Sequence, residues 1–239
     1  MRLMSWILNV GTPEAVRKIP INTVSLTGEV LGQEFESSLE RDLIMLMAWD
    51  ADIDWFQVQP VKIRYTNPNG NRRSYTPDLL VHFLRNPKPE TDRKPILCEV
   101  KYREELARNW KELKPKFKAA KAYANEQGWD FQIFTEDRIR TPYFRNIQFL
   151  WSYRYSPLYE THHERLLQAL SEMEEASINR LLDHCYGSRD RVGRGEGIWT
   201  LWCMVARREI VCDLHVPLAM DCKIQRNPKN SIWVPSDQE

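Results

Sequence analysis

Apolar positions recur along this chain first at helical spacing and then at strand spacing. Phe35, Leu39, Leu43 and Leu46 fall at i, i+4, i+8 and i+11, one stripe that predicts a helix over about 33–49. Glu36 and Glu40, four apart, stack on one side of that helix, and Leu43 and Met47 continue their line. Glu40 therefore sits at the margin of the apolar face. The period then drops to two. Val61, Ile63 and Tyr65 alternate with Lys62 and Arg64, and Asn67-Pro68-Asn69-Gly70-Asn71 is a strong turn signal, so residues 58–66 and 72–84 are expected to form a hairpin. The charged, proline-bearing stretch 86–95 reads as a loop. Residues 96–101 alternate as a strand, with Ile96, Cys98 and Val100 facing one way and Leu97, Glu99 and Lys101 the other.

Helical spacing returns over about 102–127 through Leu106, Trp110, Leu113, Phe117 and Ala120. Pro115 is expected to break this region in two, and Gly128 to stop it. A further strand covers 130–135. This order predicts an α/β unit, a mixed β-sheet flanked by helices. The remainder has a different texture. Residues 157–186 read as mostly helical, with Leu166, Leu170, Met173 and Leu181 in the core. Residues 187–197 read as an exposed Gly/Arg/Asp-rich loop, 198–206 as a helix or buried strand, and 210–216 as a strand. The expected organisation is an irregular N-terminal arm (1–30), the α/β unit (31–136) and a smaller, mainly helical unit with a short β element (137–239).

Composition narrows the function. No stretch approaches the ~20 apolar residues of a membrane span, and Ser5 and Asn9 interrupt the apolar N-terminus, so a cytoplasmic chain is expected. Five cysteines with no C-x-x-C point to reduced thiols and away from zinc. The net charge of +1 counts against an autonomous high-affinity DNA binder. Charge is uneven, however: Lys101–Lys121 holds eight Lys/Arg against three Asp/Glu, either a solvated helix face or a phosphate contact. Gly193, Gly195 and Gly197 lack the strand, helix and Gly-Lys-Ser/Thr of a phosphate loop. His162-His163-Glu164 lacks metal-site spacing and reads as a helix start with a solvated pair.

The chemistry concentrates elsewhere. Tyr75-Thr76-Pro77-Asp78 is followed, twenty-one positions after Asp78, by Glu99-Val100-Lys101. Glu99 and Lys101 share one strand face. If a neighbouring strand carries Asp78, two carboxylates and an ammonium converge, a set suited to a divalent cation on oxygen ligands and to metal-dependent phosphodiester cutting. The bland alternative is an exposed ion pair, worth little. Asp78 leads into the apolar run Leu79-Leu80-Val81, and Glu99 lies within another, which favours the site.

In order along the chain, Glu36-Ser37-Ser38-Leu39-Glu40-Arg41-Asp42, Gln59-Pro60, Tyr75-Thr76-Pro77-Asp78, Glu99-Val100-Lys101, Gly128-Trp129-Asp130-Phe131 and Thr135-Glu136 resemble the TnsA family, endonuclease subunits of heteromeric bacterial transposases. The resemblance is good over about 30–150 and weaker through Asn146, Asp213-Leu214 and Pro217-Leu218. It implies a restriction-endonuclease-like core and a winged-helix-like C-terminal domain. It also implies Mg²⁺-dependent cutting, with Mn²⁺ able to substitute, of the strand that the DDE transposase partner TnsB does not process. The C-terminal region would meet the ATPase regulator TnsC. Carried over, Glu40 is the helix acid (Glu36 being its competitor), Asp78 the central metal ligand and Glu99 the second ligand. Lys101 is the catalytic lysine. In the metal-assisted hydrolysis that these residues suggest, the Val100 carbonyl would be a further ligand. Gln59 would line the site or anchor the Pro60 turn. The rival readings are a stand-alone restriction or repair nuclease, and a non-catalytic adaptor between TnsB and TnsC.

Overall fold

The computed structural model describes residues 28–30, 33–35, 37–85, 93–187 and 189–228. Nearly all of the expected N-terminal arm, Glu36 and most of the 86–95 loop lie outside them. The described chain divides into two units, one closing at Ile139 and the other opening at Arg140.

The first unit begins with β1 (Gly28–Val30) paired antiparallel to β2 (Gln33–Phe35), and helix α1 (Ser38–Trp49) follows. The helix expected from 33 thus starts at Ser38, because Ser37 caps it. The Ser37 hydroxyl accepts the Glu40 N–H at 3.2 Å and donates to Glu40 Oε1 at 3.0 Å. Next come β3 (Ile53–Val58), β4 (Ile63–Thr66), β5 (Arg72–Tyr75) and β6 (Leu79–Phe83). The expected strand 72–84 is therefore two, β5 and β6, while 58–66 holds β4 and only the last residue of β3, a strand the pattern did not predict. Pro60 and Pro77 lie in the two breaks, where a missing N–H cannot continue a ladder. The expected turn does join β4 to β5, with Asn67 Oδ1 accepting from the N–H groups of Asn69 and Asn71.

After β7 (Ile96–Val100), helix α2 (Arg103–Glu126) runs through Pro115 without splitting there; its one departure from helical geometry is upstream, at Asn109 (φ −109°, ψ 15°). β8 (Asp130–Phe134) and the short α3 (Glu136–Ile139) complete the unit. Ile139 is fully buried among α1 residues, so the unit extends past the 136 boundary read from the sequence.

The central sheet has the order β3-β6-β7-β8, antiparallel except for the parallel β7–β8 pair. Its two faces carry separate cores. Leu79, Val81, Cys98 and Val100 pack under Leu39, Leu43 and Ile44 of α1. Leu80 and Leu97 pack on the other face with Ala120 and Ala124 of α2 and with Ile63 and Tyr75 of the β4–β5 ribbon. The alternation read from 96–101 is therefore realised: Glu99 belongs to the α2 face.

The second unit comprises α4 (Pro142–Trp151), α5 (Glu160–Met173), β9 (Glu175–Ser177), α6 (Ile178–Tyr186), α7 (Arg191–Ala206), β10 (Ile210–Cys212) and β11 (Lys223–Arg226). From α5 onward the order is helix, strand, helix, helix, strand, strand. The antiparallel sheet has the last strand at its centre (β10-β11-β9), which is winged-helix topology. Leu166, Leu170 and Leu181 are fully buried as expected; Met173 is only partly so. Two expectations fail here. Most of the 187–197 loop is the first half of α7, because Asp190 caps it, accepting the Gly193 N–H at 2.9 Å. And His162 and His163 are not a solvated pair: His162 bonds Tyr186 and Glu196 at 2.8 and 3.0 Å, and His163 bonds Glu209 at 2.5 Å.

One glycine of α7, Gly197, serves packing. A Cβ at Gly197 would lie 2.4 Å from the Tyr186 ring, which the His162 bond holds in place. Gly197→Ala is expected to destabilise the protein by about 1–3 kcal/mol through overpacking. Urea unfolding measures it, and an unchanged midpoint would refute this close approach. All five cysteines are free thiols.

Candidate active site

The site forms where β6 begins, at the ends of β3 and β7. Gln59, at a left-handed φ of 48°, turns the chain out of β3 and donates its N–H to the Asp78 carbonyl at 2.9 Å. The Asp78 N–H goes to the Cys98 carbonyl at 3.1 Å, and Asp78 Oδ2 accepts the Val100 N–H at 2.6 Å. Asp78 is thus stitched by backbone to both neighbouring strands, and its carboxylate is fixed to the strand that carries Glu99.

Glu99 is 1 % exposed and holds three partners. The Tyr75 hydroxyl donates a short hydrogen bond to Oε2, the Lys116 ammonium donates to Oε1 at 3.1 Å, and Lys101 Nζ lies 3.5 Å from the same oxygen. Lys116 also sits 4.7 Å over the Tyr75 ring. The exposed ion pair entertained for Glu99 and Lys101 is therefore a cluster of one buried acid, two half-buried ammoniums and a buried phenol.

Glu40 reaches the site from the first turn of α1. With Asp78, Val58, Leu43, Ile44, Leu79 and Val100 it lines one small concavity. The structure thus brings Glu40, Asp78, Glu99, Val100 and Lys101 together. Glu36, the competing acid, lies outside the described residues.

Electrostatics reflect the crowding. Burial, then the Glu99 and Glu40 charges, push the Asp78 carboxyl well above the usual carboxylate range; Lys101 and the Val100 N–H oppose them. Burial works against the Lys101 ammonium, yet Asp78 and Glu99, then Glu105 and Glu40, outweigh it and hold its pKa above the ordinary lysine value. Burial and Glu99 keep the Tyr75 phenol protonated, far above its ordinary range.

Two contributors escaped sequence reasoning. Tyr75 was part of the quoted motif but had no role. Lys116 was one lysine in a basic run. The run itself is not uniform: Lys116 bonds Glu99, Arg103 pairs with Asp137 and Arg108 with Glu104. One signal did mark Lys116, since it falls three after Leu113 and four before Ala120, on the buried stripe of α2.

Residues 50–136 match the family model of the TnsA-like endonuclease N-terminal domain, and residues 138–214 match that of the TnsA endonuclease C-terminal domain. The chain belongs to the TnsA family. No curated protein matches it. TnsA membership makes it a DNA endonuclease, the endonuclease subunit of a transposase, and its first unit a restriction-endonuclease-like fold. Asp78, Glu99 and Lys101 lie within the first matched segment, and Glu40 upstream of it. No described helix of this TnsA chain is long and apolar enough to cross a membrane.

Among the described residues no group of three or more His, Cys, Asp or Glu side chains is disposed to hold a metal. The donor set still suits Mg²⁺. That ion binds proteins through one or two carboxylates and keeps several waters, so it does not require a dense side-chain cage. Asp78 faces the charges of Glu99 and Glu40. Such crowding of oxygen donors is relieved by a hard cation.

Proposed function

We propose that this chain hydrolyses a phosphodiester at transposon ends, on the strand that a TnsB-like DDE transposase leaves uncut, using Mg²⁺. The observation that carries this reading is the convergence of Asp78, Glu99 and Lys101 at the end of the sheet, with Glu40 beside them. Asp78 and Glu99 would hold the metal, the Val100 carbonyl would add an oxygen, and Glu40 would complete the shell directly or through water. When bound, Mg²⁺ supplies Lewis-acid neutralisation of the phosphate and a more acidic water. Lys101, kept charged by its neighbours, orients the attacking water or meets charge developing on the phosphate. Lys116 and Tyr75 touch neither reactant in this scheme; they orient Glu99. Mn²⁺ is expected to substitute for Mg²⁺. The near-neutral net charge fits delivery to DNA by partners: TnsB, and TnsC through the C-terminal region.

Calorimetric titration of Mn²⁺ into the full chain and into Glu99→Gln tests the metal reading. Saturable binding that the variant loses is the expected result. Equal binding by both proteins would remove Glu99 from the ligand set. Cleavage is expected only with a TnsB-like partner present; robust cutting by the chain alone would favour a stand-alone nuclease.

A further inference from the structure

We propose that the outer face of the β4–β5 ribbon is the surface on which this protein seats duplex DNA beside the phosphodiester it cuts; the reference to a cut site rests on the function proposed above. Residues 61–75 carry four cations, Lys62, Arg64, Arg72 and Arg73, and no acid, in a chain whose net charge is only +1. All four are exposed, and among the described residues none makes an ion pair. Three exposed cations elsewhere do have such partners: Arg103 with Asp137, Arg108 with Glu104 and Lys223 with Glu175. An unmatched basic face on a near-neutral protein is the electrostatic footprint of a polyanion.

Register sorts the ribbon into two faces. Ile63 pairs with Tyr75, and both are buried against α2. Arg64 pairs with Ser74 and Thr66 with Arg72, so these four side chains share the opposite face, with Lys62 in the same alternation. That face offers three cations and two hydroxyls, the donor set that phosphate and sugar oxygens take. The ribbon forms its own two-stranded sheet rather than extending the central one. A two-stranded ribbon is one of the elements that the major groove of B-DNA admits. Its tip is uncharged and braced by Asn67, with Gly70 at φ 77°.

The ribbon is also tied to the chemistry. Tyr75 closes β5 and bonds Glu99, and Asp78 follows three residues later. A duplex lying on Lys62, Arg64 and Arg72 therefore rests on an element whose root touches the acid cluster. Membership of a DNA endonuclease family favours DNA over an acidic protein surface.

The test is fluorescence anisotropy of a labelled duplex of about 30 bp against the full chain, with salt varied between about 50 and 200 mM. The variant Lys62→Gln/Arg64→Gln/Arg72→Gln is compared with Lys114→Gln/Lys118→Gln/Lys121→Gln, which removes the same charge from the exposed side of α2. If all three ribbon cations contact phosphate, the log–log salt slope falls by about 2.7 in the ribbon variant, with little change in the α2 variant. Equal losses in both variants, or no binding by the wild type at about 50 mM salt, would overturn the proposal. Should the triple variant melt early, Arg64→Gln and Arg72→Gln singly are each expected to lower the slope by about 0.9. The two readings fail separately. An Asp78→Asn protein that cuts normally with its partner removes the nuclease reading while the slope change stands. A ribbon variant that binds and cuts like wild type removes the ribbon while the nuclease stands.

Discussion

Asp78→Asn is expected to abolish strand cutting, by about 10³-fold or more, while raising the melting temperature of the metal-free protein. The amide keeps an oxygen where Oδ2 accepts the Val100 N–H at 2.6 Å, so the local backbone is preserved. What disappears is a negative charge crowded by Glu99 and Glu40. The sign follows from proton linkage. The folded-state pKa of Asp78 is raised above the unfolded value, so the folded protein binds more protons between the two. Wild-type stability contributed by this group is therefore present at low pH. It is lost as pH climbs from the ordinary carboxylate range toward the raised folded value. The variant lacks that loss, and its advantage should grow across the same window. Melting with a chelator present, scanned over pH, measures the stability arm, and nicking in the presence of the TnsB-like partner measures the catalytic arm. Wild-type cutting by a folded variant would refute the catalytic role; a variant less stable at every pH would refute the crowding account.

Lys116→Met should lower unfolding free energy by about 2–3 kcal/mol, somewhat below the ~3–5 kcal/mol seen when one partner of a fully buried pair is removed. The discount has two causes. Lys116 keeps 18 % side-chain exposure, and Lys101 remains 3.5 Å from the same Glu99 oxygen. Methionine keeps an apolar chain of similar length, so what is lost is the ammonium, both its bond to Glu99 and its place over the Tyr75 and Phe117 rings. Adding Glu99→Gln should recover much of the cost, since a neutral amide needs no counter-charge. Urea denaturation of the four members of this double-mutant cycle measures the coupling. Additive losses would show that Lys116 acts through packing alone. Cutting should fall in Lys116→Met as well, because Glu99 loses a restraint on its orientation.

The centre of the site was legible because it obeys a short rule. Strand alternation over 96–101 correctly sent Glu99 and Lys101 to one face and Cys98 and Val100 to the other, and the apolar run after Asp78 marked the adjoining strand. The turn at 67–71 was equally local, being written in Asn, Pro and Gly. Errors arose where a local signal was outweighed. Gly193 and Gly197 read as a loop, but a cap at Asp190 and the close approach of Tyr186 make a glycine-bearing helix the better packing. Pro115 read as a break, yet α2 continues through it with Leu113, Phe117 and Ala120 anchored in the core. The three-residue strand β9 was too short to carry a period; it exists because β11 pairs with it.

The partners of Glu99 belong to a different category. Tyr75 and Lys116 lie 24 and 17 residues away in sequence. Periodicity reports which face a residue takes, because that depends on backbone geometry repeated every two or 3.6 residues. It carries no information on which faces meet. The chain's own pattern was enough for the mixed sheet, the acid pair and the lysine beside it. The clamp on Glu99 and the unmatched cations of the ribbon emerged only once α2 and β4–β5 had packed onto the same side of the sheet, since burial and pairing are properties of that contact rather than of either segment.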